Sequence, residues 1–154
     1  HTTPEMLNGL RERQLHVALM MQPERRLARG VEFEPLRRLP IRLALAPTHP
    51  WARRRKVPLA EALTLPLVGF SRRDYPDYYD FLRRAFGART SRLRIVEECD
   101  GGMSLVAAVA SGRGAHFSAS LDLVAKDRLR FVEVDPPLPP AAVGVAYPRG
   151  KLAG

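Results

Sequence analysis

Apolar and polar positions change rhythm along this chain, and each change marks an element. Thr3-Pro4-Glu5 reads as a helix start, with Thr3 capping and Pro4 where a missing N–H is harmless; the helix should run to about Arg13 and bury Met6, Leu7 and Leu10. Leu15 to Met21 is nearly continuous and apolar, the pattern of a strand covered on both faces, with His16 inside it as a core residue. A polar loop, Gln22 to Arg29, precedes two strands, "VEFEPLRRL" and the alternating "IRLALA", separated by Pro40. A turn at Thr48-His49-Pro50, a basic loop, a helical turn near Leu59 to Leu63 and a strand at Leu67 to Phe70 follow.

"SRRDYPDYYDFLRRAFG" is the clearest helix. Asp74 or Tyr75 caps it, Pro76 opens it, Tyr78, Leu82, Ala85 and Phe86 share one face, and Gly87 ends it, with Asp80 and Arg84 pairing toward solvent. "RLRIVEEC" is a strand, and "CDGGMSLVAAVASGRGAHF" gives a helix over about Met103 to Ser111 that is apolar all round and should be buried. Gly112 suits the left-handed end of that helix, and Gly114 suits close packing into the next strand. Strand, helix, strand is a crossover and implies parallel neighbours. The last strands, "LRFVEV" and "AVGVAY", are joined by the stiff "DPPLPP".

A length of 154 residues allows one domain or two small lobes. No apolar run approaches the roughly 18 residues of a membrane span, and the start lacks the pattern of a secretion signal. One cysteine, Cys99, permits no internal disulfide, which fits a reducing, cytoplasmic setting. The net charge of +9 raises nucleic acid as a partner. Against it, all but three of the 25 basic residues are arginines scattered along the chain, without the interleaved aromatics that stack on bases.

Three helix starts (Thr3-Pro4, Asp74 to Pro76, Gly101 to Ser104) follow strands or stand where strands are expected. In open sheets such turns line a ligand crevice, and their unpaired N–H groups favour a small carboxylate. Equally, Gly101 and Gly102 read as a tight turn, Ser104 as a cap, and Tyr78 as packing. His1, His16, His49 and His116 are far apart, which argues against a metal. "HFSAS" lacks a nucleophile elbow, and no Gly-Lys-Ser/Thr follows "GRGAHF". The expectation is a binding domain with no catalytic residues and no cofactor.

Three stretches carry a family resemblance: "LNGLRERQLHVALMM", "LPIRLALAPTHPWARRRKVPLAEALTLPLV" and "SLVAAVASGRGAHFSASL". Together, in this order, they resemble the effector-binding domain of LysR-type transcriptional regulators. The resemblance implies an α/β, two-lobed fold like type 2 periplasmic binding proteins, with mostly parallel central sheets. Lobe one would be residues 1–39 plus 141–154, incomplete, and lobe two residues 40–140. It also implies a small-molecule effector in the cleft, a homodimer or tetramer, no membrane, and DNA binding only through a winged helix-turn-helix outside these residues. The effector set this reading gives is Thr3, Met21, Ser71, Pro76, Asp77, Tyr78, Gly101, Gly102 and Met103. Met21 stands where some aromatic-degradation regulators carry an arginine that helps hold a dicarboxylate, which argues against a dianionic ligand; separately, His16 replaces the family's usual aspartate. Two other readings are a secreted solute-binding protein of the same fold and a basic nucleic-acid-binding domain.

Overall fold

The computed structural model describes residues 3–23 and 25–150; His1, Lys151 and the outermost ends of the expected first lobe lie outside the described residues. Chain order is α1 (Thr3–Arg11), β1 (Ala18–Met21), β2 (Val31–Leu39), β3 (Arg42–Leu45), β4 (Lys56–Pro58), α2 (Leu59–Ala62), β5 (Pro66–Phe70), α3 (Pro76–Phe86), a 3-10 turn (Gly87–Arg92), β6 (Arg94–Cys99), α4 (Gly102–Ala110), β7 (His116–Ser118), α5 (Asp122–Ala125), β8 (Arg130–Asp135) and β9 (Ala141–Pro148).

The two ends of the chain build one small sheet. Its order is β1-β9-β2, and β9 runs antiparallel to both neighbours. Leu7 and Leu10, one turn apart on α1, pack on Ala18, Met20, Val31 and Ala146. Because β1 is an edge strand covered on one face, its burial alternates. Leu19 is 66% exposed, and Val17 just before the strand is exposed too. The expected two-sided strand over Leu15 to Met21 is therefore corrected to four one-sided residues, and His16 lies in an exposed bend rather than in the core. Thr3 is the first residue of α1, and its hydroxyl bonds Asp77 across the molecule instead of capping its own helix.

The middle of the chain builds the rest. A four-stranded sheet of order β4-β8-β3-β7 is joined to the parallel β5–β6 pair by a bridge between Leu67 and Ala115. The crossover β6-α4-β7 thus lands on the far side of β5, parallel to it. Mostly parallel sheets are not what forms, however. Among the described residues four of the six strand pairings are antiparallel and only β4·β8 and β5·β6 are parallel. An apolar run reports that a strand is covered; it carries no information about the direction of its neighbours. β3 runs against both β7 and β8, as β9 does against β1 and β2.

The largest core sits under α3 and the β3–β8 strands, from Leu39 and Ile41 through Leu82, Phe86 and Phe117 to Ala141. A second core packs α4, through Leu105, Val106, Ala108 and Val109, against Val68 of β5 and Ala44 of β3. Two expectations fail here. Met103 is 86% exposed, because α4 docks through the later residues and its first turn overhangs the sheet. Asp80 is only 2% exposed and pairs with Arg83 and Arg26, not Arg84. The short elements β4 and α5 and the 3-10 turn carry no pattern long enough to read from the sequence.

Candidate functional site

A cavity of about 330 Å³ lies where the two sheets face each other. Met21 at the end of β1 and Ala141 and Ala142 at the start of β9 form one wall. The first turns of α3 (Asp77, Tyr78, Phe81, Arg84) and β7 (His116, Phe117, Ser118) form the other, with Ile41, Phe70 and Pro139-Pro140 closing the ends. Most of this surface is hydrocarbon and aromatic, with a few polar groups among it, the composition expected of a small-molecule pocket.

The innermost polar group arrives by a backbone fit. A Cβ on Gly114 would sit 2.8 Å from a Val68 methyl and 3.0 Å from the Pro66 carbonyl, so only glycine lets the chain close on β5 there. Two backbone bonds then fix the approach: Ala115 N–H to Pro66 O at 2.9 Å and Val68 N–H to Ala115 O at 2.7 Å. The next side chain, His116, is delivered beside Val68, whose carbonyl lies 2.8 Å from Nδ1. A carbonyl can only accept, so Nδ1 carries the proton. Burial pushes the His116 pKa down to about 4, partly offset by the Val68 bond, so the ring is neutral at ordinary pH.

Tyr78 lies almost flat on this imidazole, with ring centroids 5.4 Å apart and 14° between planes, and meets Phe70 edge to face at 5.5 Å. A Cβ on Gly69 would lie 3.1 Å from the Tyr78 ring, so the absence of a side chain there makes room for it. Burial raises the Tyr78 pKa and keeps the phenol protonated. Its oxygen is 3.4 Å from His116 Nδ1.

Along α3, Asp77, Asp80 and Arg84 form a stripe at helical spacing that meets the N-terminal segment. Thr3 donates to Asp77 Oδ2 at 2.9 Å, Arg26 pairs with Asp80 at 3.5 Å, and Arg84 donates to the Gln22 carbonyl at 3.1 Å. Asp77 Oδ1 is buried with no hydrogen-bond partner. Burial raises the Asp77 pKa, and the Thr3 hydroxyl acts against that rise.

Of the nine residues proposed from sequence, Met21, Asp77 and Tyr78 line the cavity, and Thr3 reaches it through Asp77. Pro76 begins α3 next to Asp77 without lining the cavity. Ser71 accepts a backbone bond from Asp74, and its own N–H bonds Cys99 O. Gly101, Gly102 and Met103 are not among the lining residues. There, Ser104 bonds Asp100 Oδ1 and Gly101 O. Sequence reasoning missed His116, Phe70, Phe81 and Phe117. The available signal for His116 was its position two residues after Gly114, which sets it at the mouth of a strand beside a close backbone approach.

Among the described residues no group of three or more His, Cys, Asp or Glu is placed to hold a metal, and no helix is long and apolar enough to cross a membrane. A family model described as the LysR substrate binding domain matches residues 1–154. No curated protein matches the chain. Among solved structures it is similar to the effector-binding domain of QuiR in complex with shikimate, at 16% identity and a TM-score of 0.73, covering 97% of this chain and 70% of that one. It is also similar to full-length CbnR complexed with target DNA, at 18% identity and a TM-score of 0.79, covering 98% and 52%. HinK, a LysR family regulator from Pseudomonas aeruginosa, matches at 18% identity and a TM-score of 0.77, covering 97% and 52%. The chain spans about half the length of these two regulators.

Proposed function

This chain belongs to the LysR substrate-binding domain family, and we propose that its aromatic cavity is the effector site, taking a small organic acid whose apolar body fills the pocket. The single observation that carries this is a 330 Å³ apolar space whose walls come from both sheets at once. A ligand there contacts residues of 1–39 and 141–150 on one side and of 40–140 on the other, which we read as two lobes. It therefore has differential affinity for two lobe arrangements, the thermodynamic requirement for a switch. Arg84 at the rim supplies a cation for a carboxylate, while Met21 adds none, which favours a monoacid.

The wider role follows from the neighbours. CbnR is described bound to its target DNA and QuiR bound to shikimate; by analogy the present domain would pass a change of lobe angle to DNA-binding parts of a dimer. The reading makes it a sensor and not an enzyme: the cavity holds a neutral imidazole and a protonated phenol but no activated nucleophile beside them.

Thermal-shift screening against small aromatic and aliphatic monocarboxylates tests the site. The expected result is stabilisation by at least one ring-bearing acid, abolished in Tyr78→Ala and weakened in Arg84→Met. A ligand whose stabilisation survives both substitutions would place the effector elsewhere.

A further inference from the structure

The polar chemistry at the base of the cavity is more specific than its apolar walls. His116 is 2% exposed and lines the cavity. Its polar contacts, to the Val68 carbonyl and the Tyr78 hydroxyl, both involve Nδ1. Since Nδ1 carries the proton, Nε2 on the other edge of the ring is an acceptor with no hydrogen-bond partner among the described residues. The Tyr78 hydroxyl is the complement. Facing an N–H, its oxygen can accept a weak bond at 3.4 Å but has nothing there to donate to, and among the described residues it has no other hydrogen-bond partner.

One unmatched acceptor and one unmatched donor thus belong to two stacked rings of the same cavity wall, which Phe70, Phe81 and Phe117 also line. Polar groups that open on a largely apolar cavity are satisfied by water or by a ligand. A carboxylate does not fit, because it cannot donate to Nε2. A hydroxyl does both at once. Resting on the reading of this cavity as the effector site, we propose that the effector carries a ring hydroxyl, which donates to His116 Nε2 and accepts from Tyr78 O–H, with the ring lying among the phenylalanines. The ligand class is a phenol or ring alcohol, its acid group turned outward toward Arg84. The low His116 pKa of about 4 keeps the acceptor available across neutral pH.

The test is calorimetric titration with benzoate, the three monohydroxybenzoates and the three methoxybenzoates, which keep the oxygen and lose the donor. At least one hydroxybenzoate should bind about tenfold tighter than both benzoate and its own methoxy analogue. In His116→Asn, whose amide nitrogen can still donate to Val68 O while Nε2 is gone, the hydroxyl preference should vanish; in Tyr78→Phe it should fall by a smaller factor. Should His116→Asn fail to fold, the 15N resonance of His116 Nε2 in the wild-type protein reads the same contact, moving with the hydroxybenzoate and not with benzoate. Benzoates that all bind alike, or a preference that survives His116→Asn, would overturn the hydroxyl assignment and leave the cavity reading standing. Absence of binding by every probe would overturn both.

Discussion

The starts of α3 and α4 look alike on paper and differ in space. Each follows a strand of the β5–β6 pair, each opens with a residue that suits a helix N-terminus, and each was assigned effector contacts from sequence. α3 begins with Pro76, Asp77 and Tyr78 under the N-terminal sheet, where Thr3 reaches Asp77 and the Tyr78 ring packs against His116, Phe70 and Phe81. α4 begins with Gly102 and Met103 facing open space: a Cβ on Gly101 or Gly102 would meet nothing within 4 Å. A helix N-terminus supplies N–H groups anywhere, but a pocket also needs a second element to cover it. Only α3 has one.

Four measurements would break or sharpen this contrast. The largest effect is expected from Tyr78→Ala, which removes a ring stacked among His116, Phe70 and Phe81; a loss of about 3–5 kcal/mol in chemical denaturation follows from truncating a packed aromatic. The second concerns pH. His116 has a folded pKa depressed to about 4 from 6.5, so between those values the unfolded chain binds a proton that the native one does not. Stability from this group is full above pH 6.5 and is lost as pH falls toward 4, by an amount on the order of 3 kcal/mol. Denaturation curves across that range should show the slope in the wild-type protein and a flatter one in His116→Asn. Asp77 titrates with the opposite sign: its raised pKa makes protonation favour the native state just above the ordinary carboxylate range, so the histidine is read from the difference between the two proteins.

Third, Thr3→Val deletes the donor to a carboxyl that already has one unpartnered oxygen, and should cost about 1 kcal/mol while moving the Asp77 pKa further up, readable by carboxyl 13C titration. Smallest of all, Gly102→Ala should change stability by no more than about 1 kcal/mol, toward greater stability since alanine favours a helix, and should leave ligand affinity unchanged. If Gly102→Ala impairs binding as Tyr78→Ala does, the contrast between the two helix starts is wrong.

Much of the architecture was legible in local patterns. The helix at Pro76–Phe86, the crossover through α4, Gly112 at φ 83° and the proline-rich connector before β9 each have a short-range signature. What failed depended on distant partners. Asp80 and Arg84 have the spacing of a solvent-side pair, yet residues 22 and 26 fold over that face and take both. Met103 belongs to an apolar helix, but its own side chain is 86% exposed. The site was half legible for the same reason. Asp77 and Tyr78 stand at a visible helix start, whereas His116 gains its role from Gly114 closing on β5, a long-range contact that spacing does not announce.

The chain crosses between the two sheets at two places, the short step through Pro40 from β2 to β3 and the connector ending in Pro139-Pro140 from β8 to β9. Ile41, Pro139, Pro140 and Ala141 at those crossings also border the cavity. Any swing of one sheet against the other would therefore have its fulcrum beside the proposed site, where displacements are least. A compact ligand held there would need to shift those four residues by only a little for the far edges of the sheets to travel further, as with a wedge set near the axle of a long lever.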